Sequence, residues 1–318
     1  TLCAVQHDRL GGLKERTAVA AAIESTLTTL PFTQLRKNRW FYFYYDGFYA
    51  VACIAALAVM LGSGHRGLFG EGALLGAWHW GYLAALPLVC YLQILCSVFV
   101  HVCTHGSFPK PYNRIIGELC GVVVLTRFAS WEVLHQKHHK NSDHLERDPH
   151  PVGPSYWAFV WHHFANLEKH LHEAVFEVHG DSPQNRRLEA IRSFVSFGTG
   201  VLLIATWFVL LGWVAFLAFF LPATIVGILH LVHFNWSTHN AKSPAGAYKP
   251  VNLNHGLFRL GNKLFFGIYM HANHHRWSNV LNPAKVKNSL PIEPAPTRAD
   301  LAAWRELKRQ YWKSRLAS

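Results

Sequence analysis

Ser193 to Asn240 reads SFVSFGTGVLLIATWFVLLGWVAFLAFFLPATIVGILHLVHFNWSTHN and holds no Asp, Glu, Lys or Arg. A bilayer core takes about 20 apolar residues per helix. This one stretch is therefore long enough for two crossings, with Gly212-Trp213 as the turn between them. Gly47 to Gly64 and Gly76 to Val100 also lack charged residues. The sequence thus predicts four spans, at about 46–63, 76–100, 194–211 and 214–234. The predicted fold class is all-α integral membrane, four transmembrane helices with a cytoplasmic helical cap.

The rest of the composition agrees. Charged residues supply 15% of the 318 positions, against roughly 25% in a soluble domain. Hydrophobic residues make up 51% and aromatic ones 14%, which excludes a disordered chain. A net charge of +12 fits either a nucleic-acid partner or the cytoplasmic side of a membrane. Position decides for the membrane. Arg36, Lys37 and Arg39 precede the first span, a basic segment from Lys110 to Arg192 joins spans two and three, and Lys242 onward follows span four. The positive-inside rule then places both termini and the middle segment in the cytoplasm, and no nucleic-acid partner is expected. The six cysteines form no CxxC pair, so neither a zinc ribbon nor a disulfide framework is expected. No signal peptide is expected either.

Three regions follow: 1–45, a cytoplasmic interfacial segment with helical material at 18–27; 46–283, the membrane domain; and 284–318, a cytoplasmic tail. In that tail Thr297 caps a helix beginning at Arg298, with Asp300 at the third position. Ile115 to Thr126 is apolar but too short to cross and contains Glu118, so it reads as interfacial or re-entrant. Tyr156 to Val178 has the mixed character of an interfacial amphipathic helix, broken at Asp181-Ser182-Pro183.

The 22 histidines outnumber the 18 acidic residues and carry the chemistry. His101-Val-Cys-Thr-His105 closes span two, His135-Gln-Lys-His138-His139 lies in the middle segment, and His271-Ala-Asn-His274-His275 follows span four. Residues three and four apart share a helix face, so each cluster can present its imidazoles to one ion. Both inward-running spans end beside these clusters, so all three can meet on one side of the membrane. Eight imidazoles exceed the needs of one ion, and two metal ions are inferred. Imidazole suits iron, zinc, copper or nickel, and spacing alone does not choose among them.

HxxxH, HxxHH and HxxHH, in this order and between two pairs of spans, resemble the three histidine boxes of the integral-membrane fatty acid desaturases. The resemblance runs from about Tyr44 to Pro283, within a superfamily that also contains hydroxylases, ketolases and alkene-forming decarboxylases. It implies a mushroom-shaped helical fold with two non-haem irons in the cap and O2 as co-substrate. It also implies a ninth ligand near the end of span four. Asn235-Trp-Ser-Thr-His239 is similar to that element, with Asn235 where the family holds a water near one iron. The implied ligands are His101, His105, His135, His138, His139, His239, His271, His274 and His275. Asp143 to Asp148, ahead of Pro149, is similar to the stretch that follows the second box in bacterial and plant-type members.

Metal-bound imidazoles usually donate their other N–H to a carboxylate. Asp143, Asp148 and Glu132 are candidates for that role, against local pairing with Lys137, Lys140 or Arg147. His230 and His233 lie within span four and are expected to support neighbours rather than ligate. His162, His163, His170, His172 and His179 are expected to be solvated or to face headgroups.

The resemblance implies oxidation of an unactivated C–H bond of a lipid or fatty acyl chain. The chain shows no HPGG haem motif and no ferredoxin or rubredoxin cysteines. Electrons are therefore expected from a separate ferredoxin, rubredoxin or cytochrome b-type donor with its reductase. Lys137, Lys140, Arg186 and Arg187 could attract such a carrier or an anionic headgroup. The same scaffold could instead hydroxylate, form a ketone or decarboxylate. Decarboxylation of a free acid would call on a cation such as Arg259, Lys263 or Arg276. A metal transporter or a bis-His haem protein is the reading from another class. A transporter would spread its ligands along the spans rather than gather them at one side. The substrate-binding residues are unknown at this level.

Overall fold

The computed structural model describes residues 38–109, 112–144, 147–150, 155–239, 241–242 and 248–316. The helical segment expected at 18–27 lies outside them. The described chain is mostly helical. Helix α1 spans Phe41–Gly62, and a 3-10 turn at Trp80–Ala85 leads into α2, Leu86–Cys103. Helices α3 (Tyr112–Val123), α4 (Phe128–Asn141) and α5 (Tyr156–His179) follow. Next come α6 (Pro183–Ala215), a π-helical segment (Phe216–Phe220) and α7 (Leu221–Thr238). Beyond the two-residue strands β1 (Ala241–Lys242), β2 (Tyr248–Lys249) and β3 (Asn252–Leu253) lie α8 (Gly256–Leu264) and α9 (His271–Arg276). The chain then passes through β4 (Ile292–Glu293) to α10 (Arg298–Leu316).

Three of these helical stretches are long and apolar enough to cross a membrane: Phe41–Gly62, Trp80–Cys103 and Pro183–Thr238. The third is 56 residues long, but it does not run straight. Gly212 has φ 75° and ψ 159°, a conformation that only glycine adopts readily. The Trp207 ring stacks on Phe220 with centroids 4.8 Å apart. Along a straight helix those positions would be separated by about 20 Å. The chain therefore doubles back at Gly212.

The loop after α1 closes over this turn. Leu68 N donates to Leu211 O at 2.9 Å, and His65 Nε2 donates to Leu210 O at 2.8 Å. A Cβ on Gly67 would stand 2.5 Å from Gly212 Cα, so the two backbones touch where only hydrogen fits. From this end α6 packs along α1 and α7 along α2. The membrane-type helices leave their apolar side chains outward: Phe194 is 78% exposed and Phe48 71%. Such a surface is untenable in water and ordinary in lipid.

At the opposite end α3, α4 and α5 cover the bundle. Tyr42 of α1 is buried with Ala129, Val133 and Leu134 of α4 and Leu171 and Ala174 of α5. Ser182 accepts from Asn185 N at 3.2 Å, and Pro183 follows it, which caps α6 at its first turn. The acidic residue of the short apolar helix is also explained. Glu118 accepts from the hydroxyls of Tyr45 and Tyr49 and from Arg114, so α3 is tied to α1 by a polar network. At α10, Thr297 and Asp300 form a reciprocal capping box.

Candidate metal centre

Each histidine reaches its place through the end of a helix. His101 lies in the last turn of α2. The chain then tightens into i→i+3 bonds, His105 N donating to Val102 O at 3.1 Å, which swings His105 back toward His101. His135, His138 and His139 occupy one face of α4, and His271, His274 and His275 one face of the short α9. His239 is the residue just past α7, its N donating to Asn235 O at 3.2 Å. Asn235 is buried one turn earlier.

These side chains gather into two groups. In the first, His101, His105, His135 and His274 each offer a ring nitrogen, all within 4.8 Å of one another. In the second, His138, His239, His271 and His275 do the same. His139 stands between them: its Nε2 is 3.1 Å from His135 Nε2 and 3.2 Å from His274 Nε2, and its ring stacks on His275 at 4.1 Å. Within the groups, His101 and His274 Nε2 are 2.9 Å apart, His105 and His135 2.8 Å, and His239 and His271 2.9 Å. Two nitrogens bound about 2.0–2.1 Å from one ion at a right angle would stand about 2.9 Å apart. The donor set therefore fits two metal ions.

Burial prepares the protonation state that ligation requires. Desolvation holds His135, His139, His271, His274 and His275 well below the ordinary imidazole range, and His105 falls to about 3. Neighbouring imidazoles add to the effect, since a proton on one repels a proton on the next. These six imidazoles are held neutral at pH 7, as metal ligands must be.

Two carboxylates orient the second group. His138 Nδ1 donates to Asp148 Oδ1 at 2.8 Å, and His239 Nδ1 donates to Asp143 Oδ2 at 3.1 Å. Burial would lower the His138 pKa, but the charge and hydrogen bond of Asp148 outweigh it and raise the value. Asp148 is itself held by Asp143 N at 2.7 Å and His150 N at 2.8 Å. Asp143 adopts φ 64°, a left-handed conformation that Asp tolerates better than most residues. That turn aims both carboxylates at the imidazoles. Glu132 is placed differently from the sequence expectation: it accepts from Arg114 Nη1 at 2.8 Å and orients no histidine among the described residues. The Nδ1 atoms of His101, His105 and His271 have no hydrogen-bond partner among the described residues. The first group is therefore the less anchored.

Several expectations need correction. His163 and His170 are buried, not solvated, although neither joins a metal group. Their signal was legible: Phe159, His163, His170, Leu171 and Ala174 recur at helical spacing on the inner face of α5. His150 and Trp131 were not singled out by sequence. His150 stacks on His163 at 4.2 Å, and Trp131 stacks on His135 at 5.7 Å with planes 14° apart. Lys137 is buried and bound to Glu173 at 2.7 Å, so it is not free to attract an acidic carrier. Arg186 is paired with Asp181. His230 meets the Tyr269 hydroxyl at 3.2 Å and His233 stacks on Phe258, both as supporting contacts. Arg259, Lys263 and Arg276 are exposed, and Arg276 lies over the Trp277 ring.

The fatty acid desaturase family model matches residues 77–283, which spans every histidine of both groups. Among curated relatives, a fatty acid desaturase of Bacillus subtilis (strain 168) is 38% identical over 71 residues, covering 21% of this chain and 20% of the relative. A Delta(12) fatty acid desaturase of Mortierella alpina is 33% identical over 76 residues, covering 20% and 19%. A probable fatty acid desaturase of Sorghum bicolor is 36% identical over 59 residues, covering 17% and 15%. The chain thus matches no more than about a fifth of the length of these relatives. No solved structure matches it. The family model covers well over half of the chain and takes in the whole histidine constellation, so this protein belongs to the fatty acid desaturase family.

Proposed function

We propose that this protein is a membrane-embedded diiron oxidoreductase that uses O2 and external electrons to desaturate a fatty acyl chain. The observation that carries the reading is the pair of buried four-histidine groups joined by His139. An all-imidazole donor set with oriented ligands suits a redox-active first-row metal and is unsuited to magnesium or calcium. His101, His105, His135 and His274 would hold one iron, and His138, His239, His271 and His275 the other, with His139 at the boundary. When bound, the two irons would supply the activation of O2 needed to remove hydrogen from an unactivated C–H bond.

The residues of the chain do the remaining work. Asp148 and Asp143 hold His138 and His239 in one tautomer, with the Nε2 atoms facing the centre. Trp131 and Phe234 pack against the imidazoles and keep water from them. Asn235, buried one turn from His239, would hold a water at the second group. The acyl substrate would come from the membrane, since His101 and His239 stand at the ends of the membrane-type helices α2 and α7.

The reading includes four spans, because the 56-residue stretch doubles back at Gly212 and supplies two of them. It also includes a cytoplasmic histidine face and cytoplasmic termini, from the basic residues that flank the spans. The segments 1–45, 46–283 and 284–318 then serve as N-terminal segment, membrane domain and tail. Electrons come from a separate ferredoxin, rubredoxin or cytochrome b-type donor.

Elemental analysis of detergent-purified protein beside His138→Ala and His274→Ala, followed by product analysis in a lipid extract, tests the proposal. About two irons per chain, without a Soret band and lost in the variants, with a new double bond in an acyl chain, support it. Zinc, or no metal after reconstitution with ferrous iron, overturns it. A hydroxylated, ketone or terminal-alkene product would keep the metal site and reassign the reaction.

A further inference from the structure

The third histidine cluster is carried by α9, which holds six residues and has no side-chain cap at Met270. A helix of that length, about 9 Å, does not persist on its own in water. Yet it supplies His274 to the first histidine group and His271 and His275 to the second. With successive side chains about 100° apart around the axis, these three imidazoles share one face and Asn273 lies on the opposite one. Asp148 and Asp143 orient His138 and His239, but among the described residues no carboxylate accepts from the imidazoles of α9. His271 Nδ1 has no hydrogen-bond partner among those residues. The direction of these three ligands is therefore set by how α9 itself is held.

Two fully buried amides hold the back of that helix, Asn252 on β3 and Asn273. Asn273 N donates to Asn252 Oδ1 at 3.0 Å, and Asn252 Nδ2 donates to Asn273 Oδ1 at 3.0 Å. Asn273 Oδ1 also accepts from Leu290 N at 2.8 Å. Its Nδ2 donates to Pro283 O at 3.0 Å and to Ser289 Oγ at 2.9 Å. A carboxamide has two donors and two acceptor lone pairs, so Asn273 uses all of them. Asn252 Nδ2 reaches on to Leu290 O at 3.0 Å. The main chain adds Leu253 N donating to Tyr269 O at 2.8 Å and Ala272 N donating to Val251 O at 3.3 Å. An apolar residue at 273 would strand Leu290 N, and an acid would turn a buried charge toward Pro283 O. So many directed bonds on one side chain fix a rotation as well as a position.

We infer that Asn273, paired with Asn252, is a positioning residue that sets the rotation of α9 about its axis and thereby aims the third cluster at both ions. The inference rests on the two-metal reading above. A rotation that carries His274 out of the first group also displaces His271 and His275 from the second, because all three lie on one short helix. The amide pair therefore serves both ions, whereas Asp148 and Asp143 serve one.

The test uses the full chain in detergent, and hydrogen exchange is measured first, without metal. In Asn273→Ala the backbone of α9 should exchange about tenfold faster than in wild type, while that of α4 is unchanged. Ferrous titration of the folded protein follows, with elemental analysis per chain. Both ions should bind about 10–100-fold more weakly in the variant. Gly212→Ala, which strains the turn at the far end of the bundle, controls for lost stability alone and should bind both ions as wild type does. Should Asn273→Ala not fold, Asn252→Ser, which shortens one half of the pair and leaves Asn273 in place, carries the same comparison. A variant that only lowers the thermal midpoint, that loses one ion and keeps the other, or that leaves the exchange of α9 unchanged overturns the inference. Wild-type protein that binds no pair of ions fails the two-metal reading and this inference with it. Wild-type protein that binds two, with Asn273→Ala binding them equally well, fails this inference alone.

Discussion

Asp148→Asn separates the two histidine groups. Asp148 is fully buried and accepts three N–H bonds, from His138 Nδ1 and His150 N on Oδ1 and from Asp143 N on Oδ2. An amide offers one acceptor oxygen. Placed at the Oδ1 position it keeps His138 and His150 but turns an NH2 group toward Asp143 N–H. Leaving that donor unmet costs about 1–3 kcal/mol of folding stability. The larger consequence is for the metal. Replacing a charged acceptor with a neutral one makes the His138 imidazole a weaker and less constrained ligand, worth about 10–100-fold in affinity. That range corresponds to about 1.4–2.8 kcal/mol. The loss should fall on one ion alone, because His138 belongs with His239, His271 and His275, whereas Asp148 bonds to none of His101, His105, His135 and His274. The assay is anaerobic equilibration with graded ferrous iron, followed by elemental analysis per chain. Wild type should approach two ions, and the variant should lose one at concentrations that still saturate the other. Equal weakening of both ions, or unchanged binding of both, would refute the assignment. Asp143→Asn acts on His239 of the same group, so the double variant should lose less than the sum of the single losses.

Glu132→Gln should leave ferrous affinity unchanged in the same titration, because Glu132 contacts Arg114 and no imidazole; a loss like that of Asp148→Asn would show that it orients a ligand. Gly212→Ala forces a side chain into φ 75°, ψ 159° at about 1–3 kcal/mol, and should lower the thermal midpoint in detergent without changing metal content in the folded fraction. Acid should destabilise the metal-free protein. His105 and His163 take protons only near about 3 and about 4 when folded, against 6.5 for an ordinary imidazole, because burial disfavours their charged forms. Between those values the unfolded chain binds more protons, so stability is full above about pH 6.5 and falls as pH is lowered toward the folded values. A midpoint that stays flat across that window would contradict the burial of His105 and His163 as neutral imidazoles.

Much of the site was legible because helix periodicity is local. HxxHH places three imidazoles on one face of any helix, so His135, His138 and His139 point together before α4 has a neighbour. His239 and the Asp143–Asp148 stretch were legible only through the family resemblance. Glu132 shows the limit of spacing arguments: one turn from His135, it turns to Arg114 of α3, a partner 18 positions away. His163 shows another limit. Its phase on α5 marks the inner face, but only the packing of α5 against α4 and α7 determines that the inner face is dry.

By itself the sequence determined the apolar stretches, the order of the histidine clusters and their place at the ends of those stretches, since length, charge and helical repeat are properties of neighbouring residues. Only the tertiary structure decided which imidazoles share an ion. Each group draws from three segments, and His274 parts from His271 and His275 although all three lie on one short helix. The partition depends on the relative placement of α2, α4, α7 and α9, which is set by packing between residues far apart in the chain.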